Sequence, residues 1–253
     1  MKCNIKGLRP SPSPSMAELQ GVDKQRYVAD LFSRISGRYD LMNDLMTLRM
    51  HRRWKREAAA FAAQGLSGPA IDVATGTGDL ALELVRRPEV DYAVGLDMLQ
   101  GMASQAKSKA VVRGMSASVT MMAGDALSLP FTNDSFACAT AGFSLRNMAD
   151  VSKALSEMIR VVRPGGRVVI LELSPMRPGL RSRLFRPVFH RLVPLIGSLV
   201  AGDKAAYSYL PRSVDYFLEA HRLAEMLSDL GLAEVAFRRL CFGAVAMHWG
   251  VKK

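Results

Sequence analysis

Between Lys24 and Phe61 the apolar positions return every three or four residues: Val28, Leu31, Phe32 and Ile35, then Met42, Leu45 and Met46, then Trp54. That spacing aligns one face of a helix, so residues 23–66 are expected to form a helical cap. Beyond residue 70 the pattern changes. Short apolar runs at 71–74, 92–97, 119–123, 136–143 and 168–172 read as strands, and the stretches 79–87, 99–112 and about 150–162 between them carry helical spacing. Strands that alternate with helices need crossover connections, which give a parallel sheet covered on both faces. A helix at 219–230 and two further strands at 235–240 and 244–248 bring the expected strands to seven. The expected fold class is α/β: a doubly wound, mostly parallel, Rossmann-like sheet with a helical N-terminal cap.

Two segments break this rhythm. Residues 1–22 contain Ser11-Pro12-Ser13-Pro14-Ser15, where the prolines exclude helix and ladder strand, and read as a flexible leader with Met16 as an alternative start. An organelle transit peptide is a second reading, although Glu18 and Asp23 soon interrupt its basic character. Residues 173–217 carry five prolines (Pro175, Pro178, Pro187, Pro194 and Pro211) and read as an insertion facing substrate and membrane. Residues 23–253 are expected to form one domain.

Composition narrows the class of molecule. With 49% hydrophobic and 23% charged residues and no long polar tract, disorder, collagen-like repeats and coiled coil are excluded. Cys3, Cys138 and Cys241 form neither a disulfide framework nor a metal-ligand cluster, so no metal and a reducing compartment are expected. The longest apolar stretch, near 192–201, falls short of the ~18 residues of a membrane span. The net charge of +11 sits at the two ends: +6 over residues 1–60, −1 over 61–176 and +6 over 177–253. A neutral middle without interleaved aromatics argues against nucleic acid and for an anionic membrane surface. Arg181, Arg183, Arg186 and Arg191 would meet headgroups there, with Leu184, Phe185, Val188 and Leu192 at the acyl boundary.

The chemistry gathers after the first strand. Gly76-Thr77-Gly78-Asp79-Leu80-Ala81 lies at the strand–helix turn, where backbone without Cβ atoms can approach a ligand. The bare pattern also fits a dinucleotide site, which keeps an NAD-dependent oxidoreductase as a rival. Asp97 follows about 20 residues on, where a carboxylate holds ribose hydroxyls, with Met98 beside it. Asp72 in the first strand and Gly124-Asp125-Ala126 after the third add acids, and Gly142 lies near the end of the fourth strand. A pyrophosphate gains nothing from negative charge at Asp72 or Asp79, whereas an ammonium and a sulfonium do. The acidity favours S-adenosylmethionine.

Five segments carry a closer resemblance: Arg38-Tyr39-Asp40-Leu41-Met42-Asn43-Asp44, Gly76-Thr77-Gly78-Asp79, Leu145-Arg146-Asn147, Arg163-Pro164-Gly165-Gly166 and Ser198-Leu199-Val200-Ala201-Gly202-Asp203. Together the chain resembles the ubiquinone/menaquinone biosynthesis C-methyltransferases from about Tyr27 to Lys253. The resemblance implies a class I S-adenosylmethionine-dependent methyltransferase acting on a prenylated quinol. It implies that Thr77, Asp97, Asp125 and Ala126 contact the cofactor and that Tyr39, Arg146 and Asn147 line the quinol side. Two departures stand out. Gly142-Phe143-Ser144 reverses the family's usual order, so a common serine contact at 142 is lost or made by backbone, with Ser144 facing elsewhere. Thr75 replaces a common glycine, which implies no positive φ there.

The C-terminal segment Arg239 to Gly250 looks more like the menaquinone branch, making demethylmenaquinol the first substrate and a methoxy-benzoquinol of the ubiquinone branch the alternative. Arg146 would supply a permanent positive charge to the developing phenolate and Asn147 a hydrogen bond, while water, Tyr39 or a carboxylate takes the proton. His51 and His248 match family histidines, with His248 read as structural; His190 and His221 read as surface or groove residues. Arg52, Arg53, Lys55 and Arg56 read as a solvated helix face. The implied location is cytoplasmic and peripheral to the inner membrane, or an organelle matrix, with a possible homodimer.

Overall fold

The structure, a computed structural model, describes residues 21–177, 179–201 and 203–253, leaving out the side chains of residues 180, 181, 184–186, 188, 201, 204 and 205. The leader expected at 1–22 lies outside the described residues but for its last two, which begin the first helix. The side chains of Arg181, Leu184, Phe185, Arg186 and Val188 also lie outside them.

Seven strands form one sheet in the order β3-β2-β1-β4-β5-β7-β6. They are β1 (Ala70–Val73), β2 (Ala93–Asp97), β3 (Val119–Ala123), β4 (Phe136–Gly142), β5 (Val162–Leu173), β6 (Leu232–Leu240) and β7 (Val245–Lys252). All neighbours are parallel except β7, which runs antiparallel to both β5 and β6. Alternate residues feed opposite faces, as the pleat requires. Ala70, Ala93 and Val169 pack against α3 (Met50–Ala63) and α4 (Asp79–Leu84), while Ile71, Val94 and Ile170 pack against α6 (Val151–Val161) and α9 (Ala220–Asp229). The strand order reverses between β1 and β4, and in such sheets a ligand crevice opens at the carboxyl ends of the strands flanking that point.

Two local departures from the sequence reading concern β5 and the 173–217 segment. The strand expected at 168–172 begins earlier: Arg163-Pro164-Gly165-Gly166 lies inside β5, opposite a register irregularity between Phe136 and Cys138, with Gly165 at φ +75°. The segment read as an insertion, with no helix assigned within it, folds as two helices, α7 (Leu180–Ile196) and α8 (Lys204–Asp215), joined by a π-helical turn at Gly197–Ala201. Pro187 and Pro194 sit within α7 and Pro211 within α8 despite the hydrogen bonds they remove. Packing outweighs that cost: Val193, Tyr207, Tyr209 and Leu210 join Val28, Leu31 and Ile35 of α1 (Gly21–Ile35) and Met42 of α2 (Tyr39–Thr47) in one apolar cluster. Arg34 pairs with Asp203 at 2.9 Å, and Arg38 donates to the Val200 carbonyl, so the cap and inserted helices are tied together. No helix among the described residues is long and apolar enough to cross a membrane.

His248 is buried on β7, where Nε2 meets the Ala220 carbonyl at 2.8 Å and the ring stacks on Phe237. Burial pushes its pKa down to about 4. Its place is structural.

Candidate active site

A crevice of about 830 Å³ opens at the carboxyl ends of β1, β2 and β4. Gly76, Asp97, Met98, Asp125, Ala126 and Gly142 line it, together with Ser144, Asn147 and Tyr39. Gly76 adopts φ +57° and gives its N–H to Asp97 Oδ2 at 2.8 Å, while Leu99 N–H donates to Oδ1 at 2.9 Å. One carboxylate thus fixes the two loops that form the crevice wall, and burial raises its pKa. Asp125 Oδ1 accepts from Leu127 N–H at 2.9 Å in the same way. Ala74 at φ 54° and Phe143 at φ 60°, both non-glycine residues in left-handed conformations, follow β1 and β4 directly. Strain of this kind, of order 1–3 kcal/mol each, persists where surrounding structure enforces it, as at binding sites.

Next to the crevice lies a second space of about 720 Å³, lined mainly by apolar residues such as Met42, Met46, Phe189 and Val193. Phe32, Tyr39 and Phe143 line both spaces and form the wall between them. Arg146, His51 and Tyr207 bring polar groups into this apolar chamber. Arg146 Nη1 donates to Glu172 Oε1 at 2.5 Å and to the Phe143 carbonyl at 2.7 Å, and both side chains of the pair are buried. Arg146 Nε, His51 Nδ1 and Tyr207 Oη are buried with no hydrogen-bond partner among the described residues. Leaving such groups unpaired costs about 1–3 kcal/mol each, which a ligand carrying oxygen atoms would recover.

The pattern that defines the ubiE/COQ5 methyltransferase family matches residues 20–252. The chain belongs to this family. It is 43% identical to the demethylmenaquinone methyltransferase of Deinococcus radiodurans over 91% of this chain and 95% of that one. It is 40% identical to the enzyme of the same name from Thermus thermophilus (87% and 99% covered) and 37% identical to the ubiquinone/menaquinone biosynthesis C-methyltransferase UbiE of Geobacter sulfurreducens (91% and 90%). Among solved structures, the methyltransferase in complex with the Trm112 activator from Haloferax volcanii superposes with a TM-score of 0.64 at 18% identity, over 88% of this chain and 96% of that one. The [4+2]-cyclase SpnF superposes at 0.55 with 20% identity, over 79% and 80%. A fold shared with a cyclase does not fix the reaction, so function has to be argued from the site.

In this methyltransferase, three residues expected at the cofactor lie behind the crevice wall. Asp72 is 1% exposed and accepts hydroxyl hydrogen bonds from Thr75 at 2.6 Å and Thr140 at 2.8 Å. Burial pushes its pKa up to about 6, and with both oxygens taken by the two hydroxyls it braces the turn from behind instead of lining the crevice. Thr77 donates to Asp40 Oδ1 at 2.6 Å and accepts from Lys109 at 3.0 Å. Gly78, at φ +84°, lets α5 (Gln100–Val112) approach, since a Cβ there would fall 2.8 Å from that of Ala106. Asp79 stays ionised with its charge balanced by two lysines: burial opposes the charge, but Lys55 at 3.3 Å and Lys109 at 2.9 Å hold its carboxyl far below the usual carboxylate range. The acids that face the crevice are Asp97 and Asp125.

Other residues also differ from the sequence reading. Lys55 turns inward instead of lying on a solvated face, because Asp79 lies across from it. Asn147 lines the crevice rather than the apolar chamber and accepts from Tyr209 Oη at 3.3 Å, so of the three residues expected on the quinol side only Arg146 and Tyr39 reach the chamber. Ser144, expected to face elsewhere, lines the crevice with a buried, unpartnered Oγ. Thr75 keeps negative φ as expected, and the turn takes its positive φ at Ala74. Tyr207 and Tyr209 went unread because they lie in the 173–217 segment, whose prolines masked a helical pattern. His190 and His221 pair with Asp215 and Glu219 away from both spaces. Among the described residues no cluster could hold a metal.

Proposed function

We propose that this methyltransferase transfers the methyl group of S-adenosylmethionine to a ring carbon of demethylmenaquinol. The observation that carries the reading is the shared wall: a crevice with two carboxylates and a largely apolar chamber holding a guanidinium meet at Tyr39, Phe32 and Phe143. The crevice residues fit the cofactor. Asp97 can accept from ribose hydroxyls, Asp125 from an adenine amine, and the orphaned Ser144 Oγ has a bond to give. When bound, the cofactor supplies an electrophilic methyl group on a sulfonium. The chain's own contribution is alignment and charge. Arg146 stabilises negative charge growing on a quinol oxygen in surroundings where water does not screen it. Glu172 holds the guanidinium in place.

The chamber also bears on the head group. Phe143, Met42 and Met46 all line it, while Ser144, which a methoxy oxygen would need, lies in the other space. A flat apolar wall suits the fused ring of a naphthoquinol. Purified enzyme is expected to show a higher kcat/KM for a short-chain demethylmenaquinol than for the matching methoxy-benzoquinol. The opposite preference would overturn the branch and leave the reaction class standing.

A lipid-soluble substrate fits a peripheral position on anionic bilayers. Leu41 and Leu45 on α2 and Leu192 and Leu195 on α7 are exposed, with exposed Arg183 and Arg191 alongside on α7, and α2 packs against α7. Sedimentation with anionic vesicles should capture the protein at low salt and release it at high salt. No capture at low ionic strength would reduce this face to a chamber wall.

A further inference from the structure

We infer that His51, oriented by Asp44, is the group that accepts the hydroxyl proton of the quinol; this rests on the substrate reading above and names the missing base.

The arrangement begins in the backbone. Leu48 at φ 48° and Arg49 at φ 63° adopt two successive left-handed conformations between α2 and α3. The chain therefore turns a corner there instead of continuing one helix, and Asp44 near the end of α2 comes to face His51 in the first turn of α3. Asp44 Oδ1 meets His51 Nε2 at 2.9 Å. Arg52 grips the same carboxylate from Nε at 2.8 Å and Nη2 at 2.5 Å. Burial works against its charge, but the hydrogen bonds from His51 and Arg52 hold Asp44 below the usual carboxylate range. An ionised carboxylate only accepts, so Nε2 must carry the proton and Nδ1 is left with its lone pair.

That lone pair has no use inside the protein. Nδ1 is buried with no partner among the described residues, and His51, 3% exposed, lines the chamber with Arg146 and Tyr207. A helix clip would need only the Nε2 contact. Burial first, and then Lys55 on the same helix, lower the affinity of the ring for a proton, while Asp44 from α2 and Asp79 from α4 work the other way. Arg146 after β4, Tyr39 on α2 and Tyr207 on α8 face the same chamber. The net direction keeps His51 neutral near pH 7 and ready to accept. Tyr207, pushed up to about 12 by burial, stays a donor, and Glu172 is committed to Arg146.

In the proposed step the quinol O–H bond breaks, with the proton passing to Nδ1 and the electron pair entering the ring. The ortho carbon forms its bond to the methyl group as the carbon–sulfur bond breaks and leaves its pair on sulfur. The proton on that carbon then leaves to water and the imidazolium returns its own to the oxygen, so one proton is released in all. Asp44 is a positioning residue: it fixes the tautomer and stabilises the imidazolium.

The test combines single-turnover methyl transfer to a short-chain demethylmenaquinol between pH 5 and 9 with nitrogen-15 NMR of His51 in the wild-type protein. The expected wild-type rate falls on acidification along a single-proton limb whose midpoint lies below the ordinary imidazole value and equals the NMR midpoint of His51, with Nδ1 bare in the unprotonated form. His51→Gln should lower the rate at pH 7.5 by about 100-fold or more and abolish the limb, with cofactor affinity kept within about twofold. Asp44→Asn should slow transfer and displace the limb. A His51→Gln enzyme with wild-type rate and limb, or a limb whose midpoint does not match the imidazole, would overturn the assignment while leaving the reaction intact. Should His51→Gln not fold, the wild-type comparison of midpoints decides alone. A wild-type enzyme that binds the cofactor but methylates no quinol would overturn the substrate reading and the dyad with it.

Discussion

Replacing Arg146 with alanine is expected to cost about 3–5 kcal/mol of stability together with most of the turnover, because the residue sits in a buried ion pair. Its side chain is 5% exposed and that of Glu172 1%, with Nη1 and Oε1 2.5 Å apart. Glu172 also accepts from the backbone N–H groups of Leu173 at 2.8 Å and Arg146 at 3.3 Å, so it stays in place when its counter-charge is removed. An uncompensated carboxylate in that position is the main source of the loss. In a chain of 253 residues this corresponds to a fall in Tm on the order of 10 °C. The double variant Arg146→Met with Glu172→Gln separates the two roles, since it removes both charges at nearly constant volume. It should regain most of the Tm and none of the single-turnover rate. Full turnover in that double variant would make Arg146 a purely structural residue.

Asp97→Ala is expected to weaken S-adenosylmethionine binding on the order of 100-fold, measured by calorimetric titration. Two charge-assisted hydrogen bonds at roughly 1.5 kcal/mol each account for that factor. The structure adds a second reason for a large effect. The same carboxylate holds Gly76 and Leu99, so its removal loosens both loops of the crevice as well as deleting the acceptor. Asp97→Asn should fall between, because its amide keeps one acceptor but sets an N–H against one of the two backbone donors. Burial raises the Asp97 carboxyl above its usual 3.8, so binding should begin to weaken at a higher pH on acidification than an exposed carboxylate would give. An unchanged dissociation constant would place the ribose elsewhere.

The sheet was readable because its code is local. Runs such as residues 71–74 and 92–97 need only their own side chains to declare a buried strand, and the glycine turn at 76–78 announces a close backbone approach. Direction was harder. Asp72, Thr77 and Asp79 lie within four residues of Gly76, yet which way each side chain points depends on Thr140, Asp40, Lys55 and Lys109, all far away in sequence. The acidity argument for a cationic ligand was therefore drawn partly from the wrong residues, and Asp97 and Asp125 carry what remains of it. The prolines of 173–217 obscured two helices because their local cost was legible and the packing that offsets it was not. The Asp44–His51 contact was out of reach for a related reason: seven residues along one straight helix differ in geometry from a corner turned at Leu48 and Arg49. His51 could be suspected from its residue type, but not its partner or its free nitrogen.

The central claim is that one methyl group passes from a sulfonium in the crevice to a ring carbon of a quinol in the chamber. The direct measurement is mass spectrometry of the product after incubating the purified protein with methyl-labelled S-adenosylmethionine and a short-chain demethylmenaquinol. The account predicts a single labelled methyl on the ring carbon and an equal amount of demethylated cofactor. Label on a quinol oxygen, or cofactor binding without any transfer to the naphthoquinol or the benzoquinol, would contradict it.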